Sequence, residues 1–202
     1  EACAAGAYRY CIVASGRGPT QRQTDELADI VREIKREVPV EVCVSVGLLD
    51  EEKARRLRDA GVDRVNHNLN TSERHTPEIV STHSYADRVA TLRAAQSVGL
   101  QACSGLIIGM GETDRDIVDV ALELRKLEGP SIPVNFLIPI EGNPVQDDGS
   151  LTPERCLRVL ALMRFVNPTA EIRVAGGREG HLRDLGALAL WPANSLFVEG
   201  YL

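Results

Sequence analysis

Aromatic residues are scarce in this 202-residue chain: three Phe, four Tyr and one Trp make up 4% of it. The core must therefore come from Val, Leu, Ile and Ala, a bias that favours strands and helices in layers over an aromatic stacking surface. Lysine is scarcer still. Only Lys35, Lys53 and Lys126 occur, all in charged, helix-like stretches. No strand-like segment carries one, which argues against a Schiff-base aldolase. Positive charge is in deficit overall, with a net charge of −6 and a pI of about 5.3, so neither a basic footprint nor a nucleic-acid partner is expected. Nothing resembles a signal-peptide h-region or an apolar run of about 18 residues. The chain is expected to be cytoplasmic and off the membrane, with its five cysteines reduced and not paired in disulfides.

What is present is more specific. Three cysteines and one arginine each stand in a separate strand-like segment: Cys11 in YRYCIVASG, Cys43 in VEVCVSVG, Cys103 in LQACSGLIIG and Arg173 in EIRVAGGRE. Soft thiolates suit zinc or iron–sulfur clusters. Any one of these cysteines, taken alone, reads as a small buried hydrophobe. Side-chain direction alternates along a strand, so the pattern leaves open whether the three share a face. Cys3 and Cys156 fall in helical stretches and read as structural. Arg173, in a mostly apolar strand, needs an anion or a cluster as partner.

Two textures alternate along the chain. Strand-like runs at 8–14, 41–46, 63–70, 101–108, 132–138, 171–175 and 194–198 are separated by amphipathic helical stretches. Thr24, Asp50, Ser84 with Asp87, Thr113 with Asp116, and Thr152 with Pro153 read as helix starts. Gly61 and Gly99 read as stops, and a last helix is expected around 181–190. Seven strands joined by helical crossovers imply a parallel sheet. We expect an α/β fold, a TIM-type (β/α)8 barrel of about seven βα units lacking its first strand, in one domain over 1–202. An open doubly wound sheet is the alternative. The Pro/Gly-rich piece 139–150 reads as a loop at the catalytic rim.

Polar residues gather near the strand ends. Asn66, Asn68 and Asn70 alternate along the third predicted strand and offer amide donors and acceptors to a neutral polar ligand; His67 between them reads as structural. Asn135 lies inside an apolar strand, where its amide needs either a ligand or a backbone partner. The stretch 105–112, GLIIGMGE, allows close approach of a flat ligand and is not a phosphate-binding loop, since no Gly-Lys-Ser/Thr follows. Glu112 reads either as part of that site or as a first-turn helix acid. Arg178 and Glu179 read as an ion pair.

Together the stretches YRYCIVASGRGP, EVCVSVGLL, GVDRVNHNLNTS, CSGLIIGMGET, SIPVNFLIPIEGNP and IRVAGGRE resemble the biotin synthase family of radical S-adenosylmethionine enzymes, in order and in spacing. The resemblance implies a sulfurtransferase. It would build biotin from dethiobiotin with a 5′-deoxyadenosyl radical as hydrogen abstractor and an auxiliary [2Fe-2S] cluster as sulfur donor. It implies Cys11, Cys43, Cys103 and Arg173 as cluster ligands and catalytic groups. It further implies Asn66, Asn68 and Asn135 around the ureido ring, Asn68 and Asn70 at the cofactor ribose, and Gly105, Ile107 and Glu112 beside the adenine. The implied cofactors are S-adenosylmethionine, a [2Fe-2S] cluster and a [4Fe-4S] cluster; a flavodoxin or ferredoxin would supply electrons, and the assembly would be a homodimer. The chain contains no C-x-x-x-C-x-x-C, the family's ligand set for the [4Fe-4S] cluster, and so reads as lacking the N-terminal segment. Two other readings compete: a degenerate or truncated barrel without independent catalysis, and a related radical enzyme of the same subfamily.

Overall fold

The computed structural model describes residues 3, 6–142, 145 and 149–197. Positions 143, 144 and 146–148 of the expected rim loop, and Val198 of the last expected strand, lie outside the described residues. The chain divides into two compact units, Glu1–His67 with Ala86–Cys103, and Asn68–Tyr85 with Ser104–Leu202.

The first unit holds a four-stranded parallel sheet in the order β1 (Arg9–Val13), β2 (Glu41–Ser45), β3 (Arg64–Asn66) and β4 (Gln101–Cys103). Helices α1 (Gln21–Glu37), α2 (Glu51–Asp59) and α4 (Tyr85–Ser97) make the crossovers that parallel pairing requires. Asp50 caps α2 by accepting from the Lys53 N–H, and Gly61, with φ of 101°, ends it in the left-handed conformation that glycine takes without steric cost. The start of α1 differs from expectation. Thr20, not Thr24, is the cap, because Gln23 stands three residues on and completes a capping box; Thr24 is buried one turn in, its hydroxyl donating to the Thr20 carbonyl. Val42 and Val44 of β2, Val65 of β3, Ala28 and Val31 of α1, and Ala54 and Leu57 of α2 form one apolar core, with Ile12 of β1 packed against it. Each fully buried Val or Leu contributes about 1.5–3 kcal/mol.

The second unit holds another four-stranded parallel sheet, in the order β5 (Leu106–Ile108), β6 (Ser131–Phe136), β7 (Glu171–Val174) and β8 (Ser195–Leu196). Its helices are α3 (Thr76–Ile79), α5 (Asp114–Lys126), α6 (Pro153–Val166) and α7 (Arg178–Leu182), the last followed by a 3-10 segment over Arg183–Leu190 where one helix was expected. Thr152 caps α6 with Pro153 at its first turn. The single strand expected over 101–108 is two strands. At the break, Ser104 N–H donates to the Ser131 carbonyl, the Ser104 hydroxyl accepts from Leu69 N–H, and Gly105 N–H donates to the Asn68 side chain, so the ladder is interrupted for two residues.

Thr113 caps α5, and Asp116, three residues on, completes the capping box. Asp116 is 3% exposed and accepts from Ser72 Oγ, from Thr113 N–H and Oγ1, and from Arg74. Burial alone would raise its pKa, but the hydrogen bonds from Ser72, Thr113 and Arg74 outweigh that and hold the carboxyl well below the usual range. A carboxyl depressed in the folded state stabilises above its unfolded value of about 3.9, and that stability is lost as pH falls below it. We expect Asp116→Asn to cost about 1–3 kcal/mol at neutral pH. The gap from wild type should narrow below about pH 4, as read by urea unfolding across pH.

Candidate functional site

The register of the first sheet settles which way the cysteines point. Cys11 stands beside Cys43, Cys43 beside Arg64, and Asn66 beside Cys103. Their neighbours Ile12, Val42, Val44 and Val65 pack into the apolar core, so alternation sends Cys11, Cys43, Arg64, Asn66 and Cys103 to the opposite face. All five cysteines are free thiols, with Cys43 and Cys103 each 3% exposed. The Cys43 thiol hydrogen-bonds with those of Cys103 and Cys11; these two contacts, then burial, push its pKa well above the ordinary thiol range. The three thiols thus form a chain of contacts centred on Cys43. Among the described residues no three Cys, His, Asp or Glu side chains close around one ion position. A two-iron cluster shares its ligands between two metals, so a chain of thiols fits it where a single ion would not be enclosed.

Asn66 belongs to this face. Among the described residues its Oδ1 is buried and accepts no hydrogen bond, which costs free energy unless a ligand fills it. Arg64 was not singled out from the sequence, although it stands two residues before Asn66 and so shares its face. Its Nη1 lies 3.8 Å from Cys103 Sγ.

The other expected residues lie in the second unit. β3 ends at Asn66, so the expected alternating row of three amides is not one strand. Asn68 Oδ1 accepts from Gly105 N–H at 3.1 Å. Asn70 takes a left-handed φ of 69° and bridges Leu106, its carbonyl accepting from Ile107 N–H. Asn135, in register with Ile107, spends both ends of its amide on backbone: Nδ2 donates to the Leu106 carbonyl and Oδ1 accepts from Gly176 N–H. Glu112 precedes α5 and is not in its first turn; its carboxylate accepts from Gly109 and Met110 N–H and closes that turn. Arg173 is 8% exposed, ion-paired with Glu171, hydrogen-bonded to Ser195 Oγ at 3.0 Å and stacked on Phe197, so its anion is supplied within its own strand. Arg178 and Glu179 do pair, at the surface.

A cavity of about 450 Å³ adjoins the Gly109 turn, lined by Leu151, Gly177 and His181 among others. A second, of about 550 Å³, contains none of the expected site residues; its lining includes Tyr85, Arg74, Asp119 and Glu123.

Residues 1–124 match the family model described as the Radical SAM superfamily. The chain belongs to the Radical SAM superfamily. Residues 133–202 match a second model, the Biotin and Thiamin Synthesis associated domain. Among radical SAM relatives, the chain is 65% identical over 202 residues to a biotin synthase of Acaryochloris marina, covering 100% of this chain and 58% of the relative. It is 57% identical over 200 residues to one of Streptomyces avermitilis, covering 98% and 52%. The chain therefore spans about half the length of the curated relatives it matches. Methylornithine synthase (PylB) superposes with a TM-score of 0.80 at 18% identity over 95% of this chain and 57% of that one. The [FeFe]-hydrogenase maturase HydG of Carboxydothermus hydrogenoformans gives 0.77 at 19%, over 95% and 46%. At such identities the likeness concerns the fold, the α/β barrel type of radical SAM proteins. No helix among the described residues is long and apolar enough to cross a membrane.

Proposed function

We propose that this chain is the part of a biotin synthase that holds the sulfur source and the substrate for conversion of dethiobiotin to biotin. The observation that carries the reading is the shared face of Cys11, Cys43 and Cys103 with Asn66 beside Cys103. Three soft donors in a contiguous set, two of them buried, fit an iron–sulfur cluster, and an unfilled buried amide oxygen next to them fits a ureido N–H. When bound, S-adenosylmethionine on its [4Fe-4S] cluster supplies a hydrogen-abstracting radical, and a cluster on the thiolates supplies sulfur to the two carbons.

The chain's own residues hold and shield. Cys11, Cys43 and Cys103 would ligate, and in the same reading Arg173 is the fourth ligand, which requires its guanidinium to leave Glu171. Asn66 would fix the ureido ring. Asn135 would join it only by exchanging a backbone partner, whereas Asn68 and Asn70 keep the ribose side and Gly105, Ile107 and Glu112 shape the turn beside the adenine. The cavity at Gly109 lies within the size range of small-ligand sites, about 300–1,000 Å³. Reduction by a flavodoxin or ferredoxin and a homodimeric assembly belong to the same reading.

The test is calorimetric titration of dethiobiotin into the full chain after anaerobic loading with iron, sulfide and S-adenosylmethionine. We expect saturable binding by wild type and binding at least about tenfold weaker in Asn66→Leu, the loss of one well-placed buried hydrogen bond. No heat from iron-loaded wild type, or identical affinity in the variant, would count against the reading.

A further inference from the structure

The turn from Gly109 to Glu112 carries two glycines in the left-handed region, Gly109 at φ 100° and Gly111 at φ 87°. Their surroundings differ. A Cβ at Gly109 would stand 2.5 Å from the Leu151 side chain, whereas one at Gly111 meets no heavy atom within 4 Å. Glycine takes either sign of φ about equally well, so nothing at Gly111 itself fixes the Met110–Gly111 peptide. Its orientation comes from a neighbouring loop. His75 Nε2 lies 3.1 Å from the Met110 carbonyl oxygen; a carbonyl only accepts, so Nε2 carries the proton and donates. His75 is itself anchored, because its backbone N–H donates to Ser72 Oγ at 3.1 Å and Ser72 Oγ donates to Asp116 in the capping box of α5. Glu112 accepts from the N–H groups of Gly109 at 2.9 Å and Met110 at 2.7 Å. The carboxylate thus fixes the first half of the turn and the imidazole fixes the second. In a trans peptide the C=O and N–H point opposite ways. The Gly111 N–H is therefore turned away from His75, and among the described residues it donates to no group.

We propose that His75 is a positioning residue: it locks the Met110–Gly111 peptide and so presents the Gly111 N–H as a donor to the adenine half of the cofactor. The proposal rests on the reading above that places the 105–112 stretch beside the adenine. A ring nitrogen of adenine accepts such a bond. Without the imidazole donor the peptide is able to turn over, carrying Gly111 to negative φ and bringing the Met110 carbonyl to the side where the N–H stood. A carbonyl there repels an acceptor nitrogen. The binding-competent turn is then only part of the population, and the apparent affinity falls by that fraction. The glycine and the histidine act on one peptide, so their effects on binding are coupled, which a role of His75 confined to packing does not produce.

The experiment is an equilibrium titration of adenosine, the nucleoside half of the cofactor, into the full chain. The proteins are wild type, His75→Phe, His75→Gln, Gly111→Ala and the combined His75→Phe, Gly111→Ala variant, with Tm read for each. We expect adenosine to bind at least about threefold more weakly to His75→Phe, which keeps a planar ring and removes the donor, and close to wild type to His75→Gln, whose amide supplies one. Gly111→Ala adds a methyl to open space and disfavours only the positive φ, so it should weaken binding through the same peptide. The combined variant should lose less than the product of the two single losses. A packing role would lower Tm in His75→Phe and leave affinity, measured below that Tm, unchanged. Wild-type affinity in His75→Phe, failure of His75→Gln to restore it, or single losses that multiply in the combined variant would overturn the proposal and leave the cofactor reading standing. If His75→Phe does not fold, His75→Asn, whose shorter amide ends before the Nε2 position, is read in its place. A wild-type chain that binds no adenosine would overturn both.

Discussion

Replacing Cys43 by serine should leave the full chain without a stable iron–sulfur cluster. Wild type, loaded anaerobically with iron and sulfide, is expected to hold roughly two irons per chain with thiolate-to-iron absorption. The variant should hold well under one and show none. The effect is large because Cys43 is the middle of the thiol set: it hydrogen-bonds with both Cys103 and Cys11. Removing an outer thiol leaves a contacting pair, whereas removing Cys43 also breaks the continuity between the other two. Serine is close in size but is a hard, weakly acidic donor, so the loss is one of ligand chemistry more than packing. The apolar core is on the other side of the sheet, built from Val42 and Val44, and should be little disturbed.

The same thiol gives the metal-free chain a second signature. Hydrogen bonds with Cys103 and Cys11, together with burial, raise the folded-state pKa of Cys43 above its ordinary 9.0. Below that value both folded and unfolded chains keep the proton, and the contribution to stability is complete. Above it the unfolded thiol ionises while the buried one does not, the native state holds more protons, and stability falls as pH rises. Urea midpoints of the metal-free protein should therefore drop between about pH 8 and about pH 10, and drop less in Cys43→Ser. A serine variant that loads iron like wild type would mean that the thiols are core residues, as each reads on its own from the sequence.

Most strand positions were legible, because the β-branched runs and the caps agree. Asp50, Thr113 and Thr152 do cap helices, and Cys11, Cys43 and Cys103 do lie in strands. The face they share was not legible. Cys43 is compatible with burial among Val42 and Val44, and single strands do not say how Cys11, Cys43 and Cys103 are phased against one another; the register and the core packing of Val42 and Val44 do. Arg64 was overlooked because in DRVNH it reads as a solvated charge, whereas Glu41 and Cys103, which it meets, are 23 and 39 positions away. The break at Ser104-Gly105 was hidden by the apolar residues on both sides. The groups that Ser104 and Gly105 bond there, on Ser131, Leu69 and Asn68, lie outside any local window. Asn135 shows the limit from the other side: a buried amide in an apolar strand was correctly read as needing partners, and they are backbone groups.

Gly105→Ala should strongly destabilise the second unit. A Cβ built there would stand 1.8 Å from the Pro133 carbonyl oxygen and 2.8 Å from its carbon, both backbone atoms of β6 that no rotamer change can clear. Relief requires β5 and β6 to move apart, weakening the Leu106–Val134 and Ile107–Asn135 pairings and the Gly105 N–H bond to Asn68. Overpacking of this kind costs about 3 kcal/mol or more, which in a chain of this size lowers Tm by about 6–12 °C. Gly180→Ala is the control. No heavy atom lies within 4 Å of the new methyl, Gly180 is not at positive φ, and the site is within a helix where alanine is favoured, so Tm should hold or rise. In the cofactor-binding reading proposed above for Asn68 and Ile107, Gly105→Ala should also weaken S-adenosylmethionine binding by the loaded chain, measured below the variant's own Tm. Equal Tm for the two alanine variants would show that β5 and β6 are not packed as closely at Pro133 as the fold described above requires.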